Sequence, residues 1–154
     1  MSELRELADR LAIRELVERY TLAVTRRDWD AMAACFHEES RWRTSPPFGH
    51  DFSTREGIRK GISEAVSSSD FLVQMTHGVV IDDLTPERAR VTVVLNEVGR
   101  RSHAQTGLFL LGVYHDTVTK NAGRWGFEDR YFQAYYVDTA FLTGQVCVDY
   151  ATRP

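Results

Sequence analysis

The chain has 154 residues, of which 43% are hydrophobic and 27% charged, and this length and composition are typical of one globular domain spanning residues 1–154. Its formal net charge is −3 and no run of lysine or arginine exceeds two residues, which argues against partners such as nucleic acids or anionic membranes. The N-terminus is charged rather than apolar, and the two cysteines lack metal-binding spacing, so we expect a reduced, cytoplasmic protein without metal or other cofactor.

Three helices are predicted in the first part of the chain. Apolar residues recur at helical spacing over 3–26, and Asp28 is a suitable N-cap for a second helix that extends to Phe36. A capping box, Ser53-Thr54-Arg55-Glu56, predicts a third helix that ends near residue 66. Between the second and third helices we expect a short strand over 40–44 and a proline-containing loop over 45–52.

Beyond residue 70 the hydrophobic pattern changes to a period of two. Strands are predicted at 71–82, 88–99, 106–119 and 124–137. Helices followed by an antiparallel meander predict an α+β fold with the helices on one face of a curved sheet. Residues 138–154 are ambiguous, because they suit either an extra strand or a tail that packs on a neighbouring subunit.

Alternation over 88–99 places one carboxyl group on the core face. The apolar odd positions end with Leu95, and the next odd position is Glu97. A buried carboxylate is costly unless it is paired or protonated, so Glu97 is a candidate functional residue. The alternatives are a strand end that reaches solvent, or a bulge that reverses the alternation.

Two further polar residues share apolar strand faces. His77 alternates with Met75, and Arg130 alternates with Phe132. His77 suits either a pocket or a core histidine bonded to a backbone carbonyl, and Arg130 suits either a pocket or a structural ion pair with Glu128 or Asp129. The remaining histidines lie near charged or loop segments and are expected to be solvated: His37, His50, His103 and His115. For His50 and His103 the alternative is a position at the mouth of a pocket.

Four segments carry a resemblance to a known family, and together they span roughly residues 5 to 137. They are ELADRLAIRELVERYTLAVTRRDWDAMAACF, the helix start after STREGI, QMTHGVVI and GVYHDTVTKNAGRWGFEDRYF. Their order and spacing resemble the SnoaL-like branch of the nuclear transport factor 2-like superfamily. The resemblance implies a cone, in which a curved, mostly antiparallel sheet wraps around the N-terminal helices.

The resemblance also implies a site. Scytalone dehydratase, lindane dehydrochlorinase and bile acid dehydratase in this group pair an aspartate near the end of the first helix with a strand histidine as a base dyad. His77 matches that histidine, Arg130 matches a pocket arginine, and Thr25 stands where the aspartate would be. Because threonine carries no negative charge, either Glu97 takes over, or His77 works alone, or the pocket is not catalytic.

The function that these expectations favour is a cofactor-independent lyase or isomerase. It would abstract a proton from a hydrophobic, cyclic small molecule such as a polyketide, steroid or terpenoid, with His77 as base and Glu97 assisting. Arg130, with the hydroxyl of Tyr20 or Tyr114, would stabilise negative charge. The expected pocket wall consists of Trp42, Thr25, Met75, Leu95, Tyr114 and Phe132. The alternatives are a non-catalytic module that binds a hydrophobic ligand and an accessory subunit.

The strand at 106–119 adds an expectation about assembly. It is apolar on both faces, with Leu110 and Tyr114 on one face and Phe109 and Leu111 on the other. One face lines the cone and the other requires cover, so we expect a homodimer or homotrimer that buries the outer face of the sheet.

Overall fold

The computed structural model describes residues 2–152. Three helices and two short strands occupy the first part of the chain: α1 (Glu3–Arg26), α2 (Trp29–Ala34), β1 (Phe36–Thr44), β2 (Asp51–Ser53) and α3 (Arg55–Val66). Four long strands follow: β3 (Ser69–Asp82), β4 (Arg88–Arg101), β5 (Gly107–Asn121) and β6 (Arg124–Asp138). The predicted α+β order, in which the helices precede the long strands, is confirmed.

All six strands form one curved, open sheet in the order β2-β1-β6-β5-β4-β3. Neighbouring strands are antiparallel, except that β1 runs parallel to β6. The helices lie on the concave face, which we call the inner face, and α1 packs against β3. The sheet and helices together enclose the hydrophobic core.

Helix α1 begins and ends at capping residues. The Ser2 side chain accepts a hydrogen bond from the backbone N–H of Arg5, and Arg27 closes the other end in a left-handed conformation.

Among the described residues 2–152, none of the helices is long and apolar enough to cross a membrane.

Two predicted helix boundaries shift by one or two residues. Phe36 begins β1 instead of ending the second helix, because α2 stops at Ala34. The N-cap of α3 is Thr54, whose side chain accepts from the backbone N–H of Gly57, so the capping box predicted from Ser53 does not form. The proline-containing loop also contributes β2, which pairs with β1.

Strand β3 changes its inward face at a bulge. Thr76 pairs with Leu95 and Gly78 with Val94, so His77 is an extra residue without a partner on β4. Even-numbered residues therefore face inward before the bulge, and odd-numbered residues do so after it. The prediction that His77 and Met75 point into the core is wrong, since both side chains are exposed on the outer face.

The segment after β6 packs against its own chain. Leu142 donates its backbone N–H to the carbonyl of Gln105, and the Arg100 side chain donates to the carbonyls of Leu142 and Gly144. The Tyr150 ring stacks under the Arg27 guanidinium at 4.0 Å. The extra strand considered for this segment does not form.

Candidate functional site

A cavity of about 390 Å³ lies between α1, α3, the β1–β2 loop and the inner face of the sheet. Its volume falls in the range of small-molecule sites, roughly 300–1,000 Å³. The structure places six of the predicted site residues on its wall: Tyr20, Trp42, Leu95, Glu97, Tyr114 and Phe132.

Four predicted site residues lie elsewhere. Met75 and His77 are on the outer face of the sheet, as the β3 bulge requires. Thr25 is half-buried beside the wall, and Arg130 is fully buried behind it. The expected shared cavity of His77 and Arg130 is therefore not present.

The residue of β3 that contacts Thr25 is Gln74. Its backbone N–H donates to Thr25 Oγ1 at 3.0 Å, and its side chain points into the cavity. The match of His77 to the dyad histidine does not fit this geometry, because β3 brings an amide rather than an imidazole beside the end of α1. At this point of the structure a threonine and a glutamine, rather than a carboxylate and an imidazole, are in contact.

Glu97 and Gln74 form a cross-strand pair inside the cavity. They are direct partners in the β3–β4 ladder, and Gln74 Nε2 donates to Glu97 Oε2 at 2.7 Å. Burial raises the pKa of Glu97 to about 7, against the smaller lowering effect of the Gln74 hydrogen bond. Gln74 Oε1 is buried and accepts no hydrogen bond from the described residues, so a ligand donor can pair with it.

Two tyrosines and a tryptophan supply the other polar atoms near Glu97. The rings of Tyr20 and Tyr114 meet edge to face, and their hydroxyls interact. Burial raises the pKa of both hydroxyls, and the Arg130 charge opposes the rise. The Trp42 indole N–H lies beside the Tyr114 hydroxyl without reaching hydrogen-bonding geometry. All three residues carry hydrogen-bond donors and line the cavity.

Arg130 acts from behind this wall. Its guanidinium carbon lies 4.1 Å from the Tyr20 ring centre, 3.8 Å from that of Tyr114 and 4.2 Å from that of Phe127. Such contacts between a cation and aromatic faces are attractive, especially when they are desolvated. Arg130 therefore touches the tyrosines and not the cavity.

The counterion of Arg130 is Asp116 on β5. Asp116 Oδ1 lies 3.2 Å from Arg130 Nε, and both side chains are fully buried. The predicted partners pair elsewhere, because Glu128 contacts Arg88 and Asp129 contacts Arg43. Burial raises the pKa of Asp116 to about 7, and the Arg130 charge limits the rise.

The sequence alternation predicts the wrong face for one cavity residue and the wrong environment for one histidine. His50 lines the cavity, which is the alternative that the sequence left open for it, and stacks on Phe52, with ring centres 5.4 Å apart. A regular alternation that places His77 and Met75 inward places Gln74 on the outer face, whereas the bulge turns Gln74 into the cavity. His37 is buried rather than solvated, with Nε2 2.9 Å from the Thr119 carbonyl oxygen.

An open curved sheet wrapped around helices, with a cavity on its inner face, defines the nuclear transport factor 2-like, or cystatin-like, class of folds. Within this class the chain belongs to the SnoaL-like domain family, whose model matches residues 5–131. No curated protein shows significant sequence similarity to the chain.

Several solved structures share the fold. The crystal structure of LinA superposes with a TM-score of 0.84 at 18% identity, covering 97% of this chain and 99% of LinA. A hexachlorocyclohexane dehydrochlorinase, LinA-type3 from Novosphingobium barchaimii LL02, gives 0.82 at 17% identity and covers 96% and 99% of the two chains. A protein provisionally described as a scytalone dehydratase, from Novosphingobium aromaticivorans DSM 12444, gives 0.77 at 23% identity with 94% and 99% coverage. At these identities the similarity establishes the fold alone.

Proposed function

We propose that the protein is a lyase or isomerase that needs no cofactor and removes a proton next to a carbonyl group. Its substrate would be a hydrophobic, cyclic small molecule of the polyketide, steroid or terpenoid kind. The observation that carries the proposal is the position of Glu97, whose carboxyl is buried on the wall of a largely apolar cavity. This burial raises the pKa of Glu97 to about 7. A general base is most effective when its pKa lies near the working pH.

The proposed proton transfer uses Glu97 where the sequence suggested His77. The Glu97 carboxylate takes the proton from carbon and becomes a carboxylic acid, while the electron pair moves onto the carbonyl oxygen as an enolate. In an elimination the enolate re-forms the carbonyl, a carbon–carbon double bond forms, and the bond to a β-hydroxyl group breaks; the hydroxyl takes the proton from Glu97 and leaves as water. In an isomerisation Glu97 returns the proton to another carbon. Gln74 holds the carboxylate by its hydrogen bond to Oε2.

Stabilisation of the enolate falls to the tyrosine hydroxyls. Tyr20 and Tyr114 lie on the wall with Glu97, and Arg130 behind their rings makes both hydroxyls stronger donors. Donors fixed in a cavity with little water stabilise a developing negative charge strongly, and removal of one typically costs on the order of 100-fold in rate. Arg130 is a positioning residue in this scheme, because it does not touch the ligand.

The test measures proton abstraction directly. Cyclic ketones with and without a β-hydroxyl are incubated with the protein in D₂O, and deuterium entry beside the carbonyl is followed by NMR. We expect exchange above the buffer rate, a loss of at least about 100-fold in Glu97→Gln and a clear loss in Tyr20→Phe. Glu39→Gln, which makes the same change at an exposed residue on β1, is the control.

Two outcomes would contradict the catalytic proposal. One is a Glu97→Gln variant that exchanges at the rate of the unmodified protein. The other is a panel in which no ketone exchanges faster than in buffer.

A binding protein is the second candidate, and the Thr25–Gln74 contact favours it. Neither side chain is a base, so the place of the dyad lacks proton-transfer groups. If the cavity only sequesters a ligand, calorimetry will show saturable binding of a panel member whose exchange rate stays at the buffer value.

A further inference from the structure

Strand β4 contributes both an acidic residue, Glu97, and a basic residue, Arg101, to the wall of the cavity described above. Glu97 and Arg101 both line the cavity and both occupy odd-numbered positions of the strand, with the Glu97 side chain buried and the Arg101 side chain exposed to solvent. They are four residues apart, which places their Cα atoms about 13 Å apart along the strand. Gly99 is the inward residue between them and contributes no side chain.

The part of the cavity between these two residues is apolar. In the strand ladders, Leu72 of β3 and Leu108 of β5 are the partners of Gly99, one on each side. Both leucines line the cavity. A ligand lying along β4 from Glu97 to Arg101 would therefore contact leucine side chains in its middle.

Arg101 differs from its neighbour Arg100 in having no counterion. Arg100 Nη2 lies 2.8 Å from Asp70 Oδ2, which neutralises its charge. Among the described residues, no carboxylate pairs with Arg101. Ser69 and Thr139 also line the cavity, and their hydroxyls are not engaged by other side chains of the described chain. This end of the cavity therefore presents one uncompensated positive charge with hydroxyl groups near it.

We propose that Arg101 forms a carboxylate subsite and that the cavity takes an amphipathic monoanion. The apolar body of the ligand would lie against Leu72 and Leu108, with its carboxylate on Arg101 and its opposite end at Glu97. One free guanidinium balances one negative charge, and its planar fork matches a carboxylate. The reacting end at Glu97 rests on the proposed function, whereas the carboxylate subsite is measurable by binding alone.

The experiment compares ligands that share one chain and differ in the head group. Dodecanoate, dodecanol and dodecyl phosphate are titrated into the full-length protein by calorimetry. We expect dodecanoate to bind about tenfold tighter than dodecanol or more, since hydrogen bonds to charged groups are the strong ones. Arg101→Gln should remove this difference and leave the affinity for dodecanol unchanged.

Two control variants separate the possible causes. Arg26→Gln removes the same charge from the end of α1, outside this cavity, and should keep the preference for dodecanoate. Glu97→Gln should also keep that preference, even if it abolishes proton exchange. If no proton exchange is found, the binding preference still tests the carboxylate subsite. If the binding preference is absent, the exchange assay still tests the proposed function.

Several results would overturn the subsite. Equal binding of dodecanoate and dodecanol, or no binding of either, would show that the cavity does not select an amphipathic anion. A preference that survives Arg101→Gln would place the anion elsewhere. Tighter binding of dodecyl phosphate than of dodecanoate would assign the subsite to a phosphate and not to a carboxylate.

Discussion

Two buried carboxyl groups, those of Glu97 and Asp116, have pKa values raised to about 7 in different surroundings. Asp116 has a fixed cation beside it, and the pair supports the rings of Tyr20 and Tyr114. Glu97 has only the amide of Gln74 and faces the cavity. The same burial that makes Glu97 suitable as a base near neutral pH therefore makes its ionised form costly to the fold.

This cost predicts how the stability of a Glu97→Gln variant depends on pH. Burial raises the pKa of Glu97 from the ordinary glutamate value of 4.5 to about 7. At a pH below the pKa that Glu97 has in the unfolded chain, its carboxyl is protonated in both the folded and the unfolded protein, so ionisation costs the fold nothing. As the pH rises through the higher pKa of the folded protein, the free energy of unfolding decreases. The shift corresponds to about 3 kcal/mol at most, so Glu97→Gln should be more stable than the unmodified protein by about 1–3 kcal/mol at alkaline pH.

Urea unfolding at acid and alkaline pH measures this difference. The gain in Glu97→Gln should shrink towards acid pH, where the carboxyl is protonated in both states, while exposed Glu39→Gln should show little gain at either pH. A Glu97→Gln variant that is less stable than the unmodified protein at alkaline pH would contradict the raised pKa.

At the scale of the element, the bulge in β3 is one extra residue, His77, which the sheet holds without a break in the pairing of β3 with β4. The partners of Thr76 and Gly78 on β4 are the adjacent residues Leu95 and Val94, so the ladder is continuous without His77. Removal of His77 would leave a regular alternation in which Val79 still faces inward. The insertion thus changes the local twist of the strand and not the register on either side of it.

We therefore expect deletion of His77 to leave the protein folded, with its cavity and its ligand binding intact. His77→Ala should change the free energy of unfolding by less than about 0.5 kcal/mol, as is usual for exposed positions. Deletion of Thr92 from β4 is the contrasting variant, because that strand is paired on both sides without a bulge there and should unfold. Chemical denaturation of the three variants tests this, and a His77 deletion that abolishes folding would contradict the account.

The β3 bulge also explains which parts of the molecule were predictable. Element order followed from hydrophobic periods, and the inward position of Glu97 followed from a strand without an interruption. The regular alternation predicts the wrong faces for His77 and Gln74, because a bulge has no signature in a single sequence. Asp116 was missed as the partner of Arg130 since it lies on the neighbouring strand, where only the register brings the two together.

At the scale of the molecule, the outer face of the sheet exposes large apolar side chains. Val94 is 46% exposed, and Phe109 and Leu111 are each 40% exposed on adjacent strands. Contiguous patches of this kind commonly mark association surfaces, and closed homo-oligomers are the commonest assemblies. The homodimer or homotrimer expected from the sequence stays a prediction, and this face is where we expect it to form.

Light scattering at micromolar concentration tests the assembly. We expect a dimer or trimer, and we expect Leu111→Lys to shift it towards the monomer by placing a charge in the buried face. His115→Lys, on the same face of the same strand but at an already polar, exposed position, is the matched control. A monomeric unmodified protein would refute the prediction.

The parallel pairing of β1 with β6 has a consequence for how the chain is made. Trp42 pairs with Arg130, 88 positions later in the chain, and residues from both α1 and β6 line the cavity. During synthesis β1 can therefore pair with β6, its second neighbour in the sheet, only after residues up to β6 have been made, and such long-range pairing is slow. The wall of the cavity is therefore incomplete until β6, which contributes Phe132, has been synthesised and has paired with β1.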